Sequence, residues 1–134
     1  MSLRKDVVKI DIQENAYVLV YHKFLDIGSG SSIGLYLYNT EYLKFDCFGL
    51  LKGHYHVFNK KTNDRIYFTE QTAKEQIDKS TSELSENITM YLAMSPNKKI
   101  RDFVFDKPLL KSKLAEAKRL LIEYEDKFYA AIRG

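Results

Sequence analysis

Residues 45–57 read FDCFGLLKGHYHV: an alternating run, a short glycine-bounded connector, and a second alternating run. Two segments of period two on either side of Gly49 and Gly53 describe an antiparallel hairpin. In the first arm Leu43, Phe45 and Cys47 share one face, and Lys44, Asp46 and Phe48 share the other. In the second arm Tyr55 and Val57 oppose His54, His56 and Phe58. Matching the apolar faces pairs Tyr55 with Phe45 or with Cys47, and either register sets Asp46 on the same face as both histidines. One surface of the sheet is therefore apolar, while the other carries Lys44, Asp46, His54 and His56.

Outward from this hairpin, the chain divides by period. Val8, Ile10 and Ile12 alternate with polar residues, and Ala16 to Leu25 is a longer apolar run containing His22, read as a satisfied core histidine. Gly34 to Tyr38 and Glu41 to Phe48 flank the polar pair Asn39-Thr40, and Arg65 to Phe68 is a last short strand. The run Gly28-Ser29-Gly30-Ser31-Ser32 has the composition of a mobile connector. It lacks the lysine of a phosphate-binding loop and the spacing of a dinucleotide fingerprint. From Gln71 onward apolar residues recur at three and four, predicting one helix over about 70–92 with Thr69 as N-cap. A second helix over about 108–132 opens at Pro108, with Ile100 to Phe105 extended between the two. Its stripe of Leu110, Leu114, Ala117, Leu121, Tyr124, Phe128 and Ala131 covers the sheet or meets a second copy. The expected fold is α+β: an antiparallel sheet of five or six strands, covered on one face by two C-terminal helices, in a single domain over residues 4–134. Met1-Ser2-Leu3 reads like a start added by an expression vector and is left out of it.

Composition narrows the class. At 134 residues and 45% hydrophobic the chain is the size of one domain, and no stretch approaches the roughly 20 apolar residues of a membrane helix. A lone cysteine makes no internal disulfide and no cysteine-based zinc site, which fits a cytoplasmic protein without membrane contact. With 21 Lys and Arg against 18 Asp and Glu, no field of one sign selects a partner.

The chemistry lies in the hairpin. A carboxylate beside an imidazole fixes its tautomer and favours its charged form, so Asp46, His54 and His56 suit general acid and base work. With Lys44 or Lys52 to meet a phosphate and Tyr55 to hydrogen-bond, the matching reaction is metal-independent RNA cleavage. His-x-His with Asp46 as a third ligand is the competing metal reading. Parity sends Cys47 to the apolar face, away from His54, and excludes a Cys-His nucleophile. The bland reading of the cluster, as polar structure, takes precedence, and no metal or cofactor is assigned.

Phe45-Asp46-Cys47-Phe48-Gly49 followed by Gly53-His54-Tyr55-His56 resembles small bacterial domains of unknown function. It also resembles TumE-type toxin-antitoxin proteins, in which a strand ending in Asp precedes a glycine turn and a His-x-His. That resemblance implies an α+β fold and a toxic, RNA-directed activity carried by Asp46, His54 and His56, with RNA or an antitoxin as partner. The leading expectation is a binding or assembly domain that homodimerises through the uncovered sheet face or the last helix. The alternative is a ribonuclease-type toxin.

Overall fold

The computed structural model describes residues 3–26, 28–58 and 65–133, with side chains of the last helix described as far as Phe128. Its N-terminal half is a six-stranded antiparallel sheet in which each strand lies beside the next. The strands are β1 (Leu3–Gln13), β2 (Ala16–Leu25), β3 (Gly28–Leu37), β4 (Thr40–Cys47), β5 (His54–Val57) and β6 (Ile66–Tyr67). After them come α1 (Ala73–Glu86), α2 (Ile88–Ala93), α3 (Lys98–Arg101) and α4 (Lys107–Arg133), so the architecture is α+β with strands first.

Alternation divides the sheet into two surfaces. Val18, Val20, Ile33, Leu35, Leu43 and Phe45 are buried on one, where α4 crosses β1 to β3 and α1 lies on β3 and β4 beside α4. Leu110, Leu114, Ala117, Leu121 and Tyr124 all bury against this surface, so the stripe is core packing that far, and the side chain of Ala131 lies outside the described residues. The helical half is more broken than its spacing predicts. Thr72, not Thr69, caps α1, because its side chain accepts from Glu75 N while the Glu75 carboxylate accepts from Thr72 N. The helix stops at Asn87, and α2 restarts with Ile88, Tyr91 and Leu92 in the core, where the Tyr42 hydroxyl donates to the Tyr91 carbonyl. The segment expected to be extended from Ile100 begins instead inside α3, capped by the Asn97 side chain accepting from Lys99 N.

The largest correction concerns the glycine-serine run. It is no connector: Gly28 to Leu37 is β3, with β2 and β4 hydrogen-bonded on either side. Parity puts Gly28, Gly30, Ser32 and Gly34 on the helix-free surface, where side chains of neighbouring strands lie across them. A Cβ at Gly30 would stand 2.3 Å from the Cys47 carbonyl oxygen and 2.9 Å from the Phe48 ring. One at Gly34 would stand 2.6 Å from Glu41 Oε2. The glycines serve close approach, not flexibility. The hairpin after β3 turns at Tyr38 and Asn39, φ 53° and 63°, one residue earlier than the Asn39-Thr40 expected. A two-residue turn of this hand needs positive φ at both positions. Tyr38 takes it with its ring packed on Phe103 at 5.8 Å and under Lys99 at 4.3 Å.

A connector and a close-packed strand respond oppositely to one methyl group. In a flexible loop Gly30→Ala is neutral or stabilises by about 0.4–1 kcal/mol. Here it is expected to destabilise by about 3 kcal/mol, since backbone must move to admit it, as read from the urea midpoint.

Candidate functional site

The hairpin that carries the histidines is fastened to α1. Gly49 and Leu51 take positive φ in its turn, and the Gln76 side chain accepts from Gly49 N and donates to the carbonyls of Gly49 and Glu70. Gly53 leaves the room this amide occupies, since a Cβ there would meet Gln76 Oε1 at 1.9 Å. So held, β4 and β5 pair Phe45 with Tyr55, Asp46 with His54 and Lys44 with His56. Continuing across the sheet, Ser32 lies opposite Asp46 and Tyr21 opposite Ser32, so Tyr21, Ser32, Asp46 and His54 form one row on the helix-free surface.

Asp46 is the hub of this row and has no exposed surface. Its Oδ1 accepts from Ser32 Oγ at 2.6 Å. Its Oδ2 lies 3.2 Å from His54 Nε2 and 3.9 Å from both Lys23 Nζ and Lys44 Nζ, yet no hydrogen bond of good geometry reaches it. Burial alone would raise this carboxyl, but His54, Lys23, the Ser32 hydroxyl and Lys44 outweigh it and hold it down at about 2. Burial brings the Lys23 ammonium down to about 8, with Asp46 opposing the fall and Lys44 adding to it. The ring of His54 is oriented by Nδ1, which donates to the Lys52 carbonyl at 2.8 Å. His56 stands 5.1 Å from His54, ring to ring, and burial followed by repulsion from Lys44 and His54 lowers it to about 4.

No helix covers these groups, and they cover one another. Arg4 lies 4.4 Å over the Tyr21 ring, Lys9 lies 4.3 Å over Tyr17, and Tyr17 stacks on Tyr36 at 4.9 Å. Phe48 meets His54 edge-on at 5.6 Å, and Phe58 stacks on His56 at 5.5 Å. His54 and His56 are 2% and 4% exposed as a result.

Of the expected residues, Asp46, His54, His56 and Lys44 come together. Lys52 joins through its carbonyl, and its side chain reaches toward Gly28. Tyr55 does not join: it lies on the helix-packed surface, stacked on Phe45 at 5.0 Å. Cys47 is fully buried there too, with its thiol pushed up to about 12 by burial, which leaves it without nucleophilic character. Lys23, Ser32 and Tyr21 are the members that sequence reasoning missed. Lys23 and Tyr21 share a parity within an otherwise apolar strand, and that was their one signal. His22 is buried against the helices as expected, but unsatisfied: neither ring nitrogen has a partner among the described residues, and the ring stacks 4.3 Å from Phe128.

The sequence from β1 to the middle of α4 matches one known family. The model of the Domain of unknown function (DUF7700) covers residues 7–121, which is most of the chain. The chain belongs to that family. No curated protein and no solved structure matches it. The span that matches DUF7700 includes Lys23, Ser32, Lys44, Asp46, His54 and His56.

Chemically, the arrangement in this DUF7700 chain offers a buried carboxylate oxygen and one imidazole nitrogen without hydrogen-bond partners among the described residues, flanked by two ammonium groups. Tyr21 Oη, Glu41 Oε2, Asp46 Oδ2 and His56 Nδ1 are all buried and unpartnered on the helix-free surface. His22, on the opposite surface, makes a separable contribution to acid stability. Burial, opposed by Asp6, lowers it from 6.5 to about 4, so below pH 6.5 the unfolded chain takes up its proton first. Its contribution is complete above pH 6.5 and is lost as pH falls toward 4, at a slope of up to about 1.4 kcal/mol per pH unit. In thermal melts across that range, His22→Phe is expected to lose stability less steeply than wild type. Parallel acid limbs would contradict the assignment.

Proposed function

We propose that this domain is a binding module, that its site is the helix-free sheet surface around Asp46, and that it works as a homodimer. The observation that carries the first two parts is the concentration of buried, unpartnered polar atoms there: Tyr21 Oη, Glu41 Oε2, Asp46 Oδ2 and His56 Nδ1. Leaving a buried polar group unpaired costs about 1–3 kcal/mol, so several on one surface point to a ligand that pairs with them. Burial sets the size of that ligand. Tyr21, Lys23, Asp46, His54 and His56 are at most 6% exposed, which suits a ligand of a few atoms. A ribonuclease reading of Asp46, His54 and His56 asks a phosphodiester to span two imidazoles of which one meets the Phe48 ring edge-on and the other stacks on Phe58. That favours binding over RNA cleavage.

Assembly involves a different surface. The α4 stripe is already packed on the sheet, and the helix-free surface is closed by its own side chains. Among the described residues the sheet has two edges, β1 and the two-residue β6, and the longer one, β1, leaves Val7 and Val8 51% and 37% exposed. An edge strand with open backbone groups and apolar side chains suits pairing with a second copy.

Thermal unfolding of the untagged chain against inorganic ions, amino acids and mononucleotides is expected to show stabilisation by a small ligand, and an RNA oligonucleotide is expected to stay intact. Silence across the panel would remove the binding reading. RNA cleavage that disappears in a His54→Ala, His56→Ala double variant would restore the ribonuclease. Light scattering at micromolar concentration is expected to give a dimer that Val7→Lys separates, and a wild-type monomer would remove assembly.

A further inference from the structure

We infer that Asp46, His54 and His56 form a site for one divalent transition-metal ion of the zinc type. This inference rests on the helix-free surface being a binding site and goes further by naming what is bound. The three residues bring one ligand atom each to within 4.8 Å of one another, and all three are buried.

The orientation of the groups argues for a cation among them. His54 Nδ1 gives its hydrogen to the Lys52 carbonyl, which aims Nε2 at Asp46 Oδ2, 3.2 Å away and without a hydrogen bond of good geometry among the described residues. A cation seated between these two atoms would bond both. Around an ion with bonds of about 2.0–2.1 Å, tetrahedral ligand atoms stand about 3.3 Å apart, which matches the Asp46–His54 pair, while the whole set is held to within 4.8 Å. His56 Nδ1 is the third buried atom without a partner.

The supporting contacts are those a metal site uses. A ligating imidazole commits its other nitrogen to a carbonyl, and a ligating carboxylate is itself hydrogen-bonded. Lys52 O holds His54 in this way, and Ser32 Oγ holds Asp46 by Oδ1, leaving Oδ2 free. Two imidazoles and one carboxylate leave a fourth position for water or a small ligand. An ion bridging residues on both β4 and β5 would also clamp the hairpin.

Lys23 and Lys44 distinguish a cation from an anion at this place. Each ammonium stands 3.9 Å from Oδ2, too far for a hydrogen bond and close enough to supply counter-charge to the carboxylate. An arriving dication displaces them, so they compete with it. An anion would need them.

The test is calorimetric titration of zinc chloride into the untagged full chain after chelator treatment, with the visible absorption of cobalt(II) as a second readout. One zinc per chain is expected, with affinity at least tenfold weaker in His56→Ala and stronger in Lys44→Met. Lys44 is part-exposed and is no ligand in this scheme, so its variant keeps the test open if a ligand substitution prevents folding. No zinc uptake, an unchanged affinity in folded His56→Ala, or an affinity in Lys44→Met that is equal or weaker overturns the inference. A chain that takes no metal but is stabilised by another small ligand overturns the metal alone. A chain that responds to nothing ends the binding reading as well.

Discussion

A carboxylate with no exposed surface lies in the middle of a β-sheet surface that no helix covers, and much of the surrounding sequence is explained by what that charge requires. Removing a charged group from water costs several kcal/mol unless opposite charges and hydrogen bonds replace the solvent. Asp46 receives Ser32 from the strand on one side, His54 from the strand on the other, and Lys23 and Lys44 from above. Each requirement fixes something larger. The Ser32 contact needs β3 in register with β4, the His54 contact sets the register of β5, and the covering by Phe48 needs the space that Gly30 leaves.

That dependence shows why part of the fold was legible in sequence and part was not. Strict alternation in FDCFGLLKGHYHV contains the face and nearly the register, because parity is a local property: it alone groups Asp46, His54 and His56, and Tyr55 pairs with Phe45, one of the two registers it leaves open. The order of strands then helices was equally local. Gly28 to Ser32 was misread because its glycines answer to Phe48 and to the Cys47 backbone, some twenty residues away, and composition carries no trace of that pairing. Lys23 was missed for the same reason. Within its own strand it is one charge after an apolar run, and its meaning comes from Asp46 two strands away. Tyr55 was grouped with the wrong face because its chemistry was weighed ahead of its parity. Thr69 was preferred to Thr72 as cap although the three-residue step from Thr72 to Glu75 was there to be read.

The two surfaces of the sheet divide the work. One is a conventional core in which the α4 stripe, α1 and the interior of β2, β3 and β4 exclude water. The other is polar, closed by cation-aromatic contacts, and holds more buried hydrogen-bonding capacity than its own partners satisfy. Such a surface is costly as pure structure, since an apolar replacement of equal shape would fold as well. The proposed ligand, small enough to enter where only a few per cent of each side chain meets solvent, would account for that cost. The proposed metal ion would satisfy the size, the Nε2 of His54 and the free oxygen of Asp46 together.

Anomalous diffraction at the zinc edge, from crystals of the untagged chain grown with zinc, measures this directly. The expected result is one peak about 2.0–2.1 Å from Asp46 Oδ2 and His54 Nε2 and bonded to His56, with Lys23 and Lys44 swung away from the carboxylate. Density without a peak, in which Lys23 and Lys44 still flank Asp46 and a shared proton joins it to His54, would contradict it.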